Sequence, residues 1–216
     1  DSRELLDHAR EDAETFDVPV ETHTVLSHQS FQGIFDAATT YDADLTVMGW
    51  GPDSHGAPGR AEGAFDELAA SLPSDFLVMK DRGFDPSRIL LPTAGGPDSE
   101  LSARIVEALS REYDAEVSLL HVADDETEGR AFLESWAADN GLPDAELIVE
   151  TGDVEAAIER HADDATMLVV GATERGLLSR LVRGTLVLEV LERVDCTVLL
   201  AERSRKRSLW KRLFGQ

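Results

Sequence analysis

DDATMLVVGA, residues 163–172, decides the fold: polar residues, four consecutive apolar ones from Met167 to Val170, then a break at Gly171. A short apolar run with this punctuation reads as a strand buried on both faces. Upstream, Val154, Ala157, Ile158 and His161 recur at helical spacing behind a capping Asp153. Downstream, Val187, Val190, Leu191 and Val194 do the same behind Gly184-Thr185. Further out, strand-like runs lie at 89–91, 117–122, 147–149 and 197–200. Between them are helical faces: Leu101, Ile105, Ala108 and Leu109 after a cap at Asp98 or Ser99, and Phe132, Trp136 and Ala137 ended by Asn140-Gly141. Strands and helices alternate as βαβαβαβαβ, which predicts an α/β fold, a parallel sheet with helices on both faces.

The same stretch returns earlier in the chain. DADLTVMGWG (42–51) echoes it, LPSDFLVMK (72–80) echoes VDCTVLLAE (194–202), and both echoes lie 121 or 122 positions apart. DVPVETHTV (17–25) matches GLPDAELIV (141–149), and residues 2–16 match the helix before it. Residues 1–82 therefore read as the back half of a module, with strands near 20–26, 45–49 and 76–79 and two or three helices. Nothing in them corresponds to the first strand, first helix and second strand of the later copy. Such a remnant must pair its strands directly, leave a gap, or borrow strands from another piece. The expected organisation is a partial module at 1–82, a linker at 83–87, a complete module at 88–202 and a basic tail at 203–216. Opening on Asp1 inside a helical pattern, rather than on Met, is what a fragment would do.

Hydrophobic residues make up 42% of the 216, enough for a packed core. No apolar run approaches the roughly twenty residues of a membrane span, and no secretory signal opens the chain. There are 20 basic and 43 acidic residues, a net charge of −23, and only three lysines. Spread over a whole body, that charge suits a salt-rich (halophilic) cytosol and argues against a nucleic-acid partner. The single Cys196 fits a reducing interior and sits in an apolar stretch. Localisation is therefore expected to be cytoplasmic, or at the cytoplasmic face of the membrane. RSRKRSLWKRLFGQ (203–216) reverses the balance, with six basic residues and no acid. Leu209, Trp210, Leu213 and Phe214 share a helical face there. The tail suits an anionic membrane surface, a partner groove, or docking on the acidic body itself.

Chemistry in an open parallel sheet gathers beyond the carboxyl ends of its strands. Two loops qualify: Thr93-Ala94-Gly95-Gly96-Pro97-Asp98-Ser99, and Gly171 through Glu174 to Gly184-Thr185. Glycines admit a phosphate to backbone amides, and a helix N-terminus supplies free N–H groups. The same glycines serve tight turns and close packing equally well. The six histidines show no metal-ligand spacing, and no serine sits in a nucleophile elbow, so neither a metal site nor an enzyme is expected.

Gly171, Gly184 and Thr185, followed by a helix and a final strand, resemble the universal stress protein family, whose nucleotide-binding members carry glycines at this spacing before Ser or Thr. The resemblance covers 88–202 completely and 1–82 in part. It implies a five-stranded parallel sheet in the order 3-2-1-4-5, and a degenerate ATP site at Thr93, Val122, Gly171, Gly184 and Thr185. Glu174 stands where the family has its second glycine, and Ala94 where it has an acidic residue, so any ATP binding would be weak. Tandem members pair through their last strands, which implies a pseudo-dimer or homodimer through 76–79 and 197–200. The acidic tandem is similar to those fused to amino-acid permeases and cation transporters of halophiles. A non-catalytic regulatory or sensory role beside the transmembrane portion of the same protein follows from that likeness; a soluble tandem that binds ATP is the alternative. The loop 94–99 is also similar to that of adenylating ATP pyrophosphatases, but it lacks their leading serine and carries Pro97.

Overall fold

The computed structural model describes residues 2–24, 30–50, 73–171 and 193–204. Its helices are α1 (Ser2–Glu14), α2 (Ser30–Thr40), α3 (Pro97–Tyr113), α4 (Glu126–Asp139) and α5 (Val154–Ala162). Its strands are β1 (Leu45–Trp50), β2 (Asp75–Lys80), β3 (Arg88–Pro92), β4 (Glu116–Val122), β5 (Glu146–Glu150), β6 (Met167–Gly171) and β7 (Thr197–Glu202).

These form a seven-stranded sheet in the order β1-β2-β7-β6-β3-β4-β5. From β5 to β7 this is the expected 3-2-1-4-5 order, with every pair parallel. The expectation of a five-stranded parallel sheet is nevertheless corrected: β2 pairs antiparallel with β7, and β1 pairs parallel with β2, so the sheet is mixed. The physical reason is the edge. A fully buried β7 left open on one side would expose a row of unpaired amides, and β2 closes it.

The seam has near-twofold symmetry. Leu45 pairs with Asp75 as Met167 pairs with Thr197, at a constant offset of 122 residues. Across the seam, Phe76 faces Glu202 and Lys80 faces Val198, the same relation read from either side. The third strand foreseen in the first half does not form over 20–24, and residues 25–26 lie outside the described part. Its counterpart β5 exists because β4 supplies five ladder partners. Among the described residues the first half has no such strand, and Val18 and Phe16 are left exposed.

Side chains alternate across the sheet. Ile89, Leu91, Leu119, Met167 and Val169 pack under α3 and α4 with Ala103, Val106, Leu133 and Trp136. Leu90, Leu120, Leu168, Val198, Leu200 and Phe76 face the other way, toward Ala157 and Ile158 of α5 and Phe35 of α2. Phe35 meets Phe76 edge-on at 5.7 Å. Asp125 and Asp153 cap α4 and α5, accepting from the Glu128 and Ala156 amides at 2.9 Å. The cap expected at Asp98 or Ser99 is instead Gly96, with φ 88°. Pro97 opens the helix because its missing N–H would be unpaired there in any case.

Candidate functional site

β3 is the switch point of the sheet: α3 leads from it to β4 on one side, while β6 lies on the other. The β3–β4 ladder runs over five pairs, whereas β3–β6 pairing covers only Ile89↔Met167 and Leu90↔Leu168. Beyond those pairs the strands part at their carboxyl ends, which is where open α/β sheets hold ligands.

Thr93 lines one wall of this crevice and is almost wholly engaged. Its N–H donates to the Leu120 carbonyl at 2.8 Å, and its Oγ1 accepts from the Gly95 amide at 3.1 Å. Its carbonyl lies 2.8 Å from Nδ1 of His121. A carbonyl can only accept, so the proton sits on Nδ1. The imidazole is held against Phe132, ring centroids 4.4 Å apart. The grip of His121 on the β3–α3 loop emerges only from the fold. Gly95 and Gly96 both have positive φ, at 80° and 88°, which turns the loop sharply into α3. Ala94 is exposed there, offering a methyl group where the family resemblance implies an acid.

Gly171 forms the opposite wall, and its lack of a side chain has a packing cause. A Cβ at this position would lie 2.7 Å from the Asp98 carbonyl carbon and 2.8 Å from the Ser99 nitrogen. The first turn of α3 therefore rests directly on β6. That turn already carries negative charge in Asp98 and Glu100. Asp98 Oδ1 accepts from the Arg203 amide at 2.8 Å, and the Arg203 guanidinium reaches Glu100 at 2.9 Å. Both carboxylates of that first turn are thus engaged by Arg203, and their negative charge lies where a phosphate would otherwise be attracted. Pro97 at its head removes one more amide, which counts against the adenylating reading.

Val122 ends β4, half-buried against the core on the α5 side. Thr93, Val122 and Gly171 thus sit at the ends of three neighbouring strands, β4-β3-β6. Gly184, Thr185 and Glu174 lie outside the described residues. A second polar cluster was not legible in the sequence. His161 Nε2 donates to Glu150 Oε1 at 2.9 Å and Arg160 lies 3.3 Å from Oε2, clamping the end of β5 to α5. The hydrogen bond from His161, helped by the Arg160 charge, holds the Glu150 carboxyl below its ordinary range. An open cleft of about 540 Å³ is lined by Arg88, Glu116, Ser118, Arg130, Glu146 and His161. Loop amides and a helix N-terminus converge at the carboxyl ends of the strands, so the crevice is the better candidate. Among the described residues, no His, Cys, Asp or Glu cluster has a metal-binding arrangement, and no helix is long and apolar enough to cross a membrane.

The model of the universal stress protein family matches residues 130–202. No curated protein sequence matches the chain significantly. A universal stress protein from Archaeoglobus fulgidus superposes with a TM-score of 0.65 at 17% identity, covering 95% of this chain and 77% of that one. A functionally unknown protein from Pseudomonas aeruginosa covers 99% of this chain and 82% of its own, at 16% identity and a TM-score of 0.58. A universal stress protein in complex with cAMP aligns with 53% of this chain and 94% of its own, at 19% identity and a TM-score of 0.44. Identities this low carry the fold and not the ligand. Over residues 130–202 the chain matches the universal stress protein family, and across its described length it has that family's fold.

Proposed function

We propose that the chain is a non-catalytic regulatory or sensory module of universal-stress-protein type, acting as the cytosolic portion of an amino-acid or cation transporter, and that its β3–β6 crevice takes ATP only weakly. The observation that carries the nucleotide part is the state of the crevice. The loop bends correctly at Gly95 and Gly96, yet Asp98 and Glu100 load the first turn of α3 with negative charge, and Gly171 is committed to packing. By the family resemblance, Glu174 stands where nucleotide-binding members carry a glycine. A carboxylate about 4 Å from a phosphate costs on the order of 1–4 kcal/mol. The transporter part is supported by the acidic tandem organisation and by the basic amphipathic sequence at 203–216.

Calorimetric titration with ATP in molar salt tests the reading. The unmodified chain should bind weakly or not at all, and Glu174→Gly should recover part of the affinity, since Ala94 remains as a second defect. Micromolar binding by the unmodified chain, or no change on substitution, would show that Glu174 faces away from the crevice. Transmembrane helices encoded in the same polypeptide would separate the transporter reading from a soluble ATP-binding tandem.

A further inference from the structure

At the repeat spacing of 122 residues, β1 and β2 are the counterparts of β6 and β7, register included. Their surroundings differ sharply. Met167 and Val169 are fully buried beneath α3, and β3 pairs along the outer side of β6. The counterparts Leu45 and Val47 are 41% and 59% exposed, and among the described residues β1 ends the sheet.

The glycines sharpen the contrast. Gly171 has no room for a side chain because the backbone of α3 begins on top of it. Its counterpart Gly49 is also glycine, yet a Cβ there would meet nothing within 4 Å. Glycine inside a strand costs entropy and packing, and commonly marks where another backbone approaches. At Gly171 that backbone is present. At Gly49 the place for it is open.

We propose that the β1 edge and the face bearing Leu45, Val47 and Gly49 form a docking surface for a strand–helix–strand segment supplied from outside residues 1–216. Its chemistry is that of this chain's own β3–α3–β4: two apolar strands joined by an amphipathic helix. The first strand adds in parallel to β1, and the helix starts against Gly49 and lies over Leu45 and Val47. The second strand then stands next to residues 18–24, which hold no ladder of their own and leave Val18 exposed. The surface is continuous with an interface already formed, because Leu77, the ladder partner of Val47, packs on Leu101 of α3. A second copy pairing edge to edge through β1 would satisfy the amides but bring no helix to Gly49.

Hydrogen exchange on the full chain in molar salt tests this. The probe is a segment with the sequence of residues 86–123, added in trans and, separately, fused ahead of Asp1 through a flexible linker that raises its effective concentration. In either format the β1 amides should exchange at least tenfold more slowly. Gly49→Val and Val47→Asp should each abolish that slowing while leaving the chain's own unfolding midpoint unchanged. The proposal is overturned by no slowing in either format, or by slowing that survives both substitutions. It is equally overturned by β1 protection in the chain alone that rises with concentration alongside a dimer in light scattering, which would assign the surface to a second copy.

Discussion

Replacing Gly171 by alanine probes the contact that sets α3 on the sheet. The added methyl would sit 2.7–2.9 Å from three backbone atoms of Asp98 and Ser99, well inside ordinary contact distance. Those atoms cannot rotate away as a side-chain tip would. The first turn of α3 is also tied down by Pro97, by the Asp98–Arg203 bond and by buried Leu101 and Ala103. Overpacking of this kind costs about 1–3 kcal/mol. Alanine recovers some 0.5–1 kcal/mol of that by restricting the unfolded chain and suiting a strand better than glycine. The net loss should be about 0–2.5 kcal/mol, up to roughly 10 °C in Tm for a chain of this size. Gly49→Ala is the internal control, and the gap between the two variants should be the full overpacking cost of about 1–3 kcal/mol. It makes the same chemical change at the equivalent strand position, where nothing lies within 4 Å, and should be neutral to slightly stabilising. Urea titration of both variants, followed by tryptophan fluorescence, supplies the comparison. Equal midpoints for the two substitutions would refute the close approach of α3 to β6, and with it the crevice wall described above.

Three further outcomes are expected. Glu150 has its carboxyl pKa lowered chiefly by the hydrogen bond from His161, so its contribution to stability is present above the unfolded carboxyl value and lost as the pH falls through the lower folded one. The Tm difference between the native chain and Glu150→Gln should therefore shrink as the pH drops below about 4.5, and a constant difference would count against the pairing. Asp75, nearly buried, accepts the Ser204 amide at 2.9 Å; Asp75→Ala should cost about 1–3 kcal/mol and speed exchange at that amide, while Asp75→Asn should keep most of both. Burial pushes the Cys196 thiol above its usual value, so a thiol reagent near neutral pH should label it only at the rate of unfolding; rapid labelling of the folded chain would contradict its placement.

Period and punctuation in the sequence by themselves determined the elements of residues 88–171. Apolar runs bounded by polar residues became β3 to β6, and helical spacing behind Asp153 became α5 on a real aspartate cap. The echoes in the sequence lie 121 or 122 positions apart, and the ladder fixes the offset at 122 for both strands, because a one-residue slip would turn every side chain to the other face. Tertiary structure decided the rest, wherever the outcome depended on a partner distant in the chain. Residues 20–24 have a strand-like pattern but no ladder, since a strand is stable only with a neighbour to bond. Whether Gly171 admits a phosphate or a helix could not be read from the residue, because glycine permits both and only the position of Asp98 selects between them. His121 and Asp98 acquired their roles in the same way. Each is a polar side chain whose partner, the Thr93 carbonyl or the Arg203 amide, lies 28 or 105 positions away and is brought within 2.8 Å by the packing of the sheet.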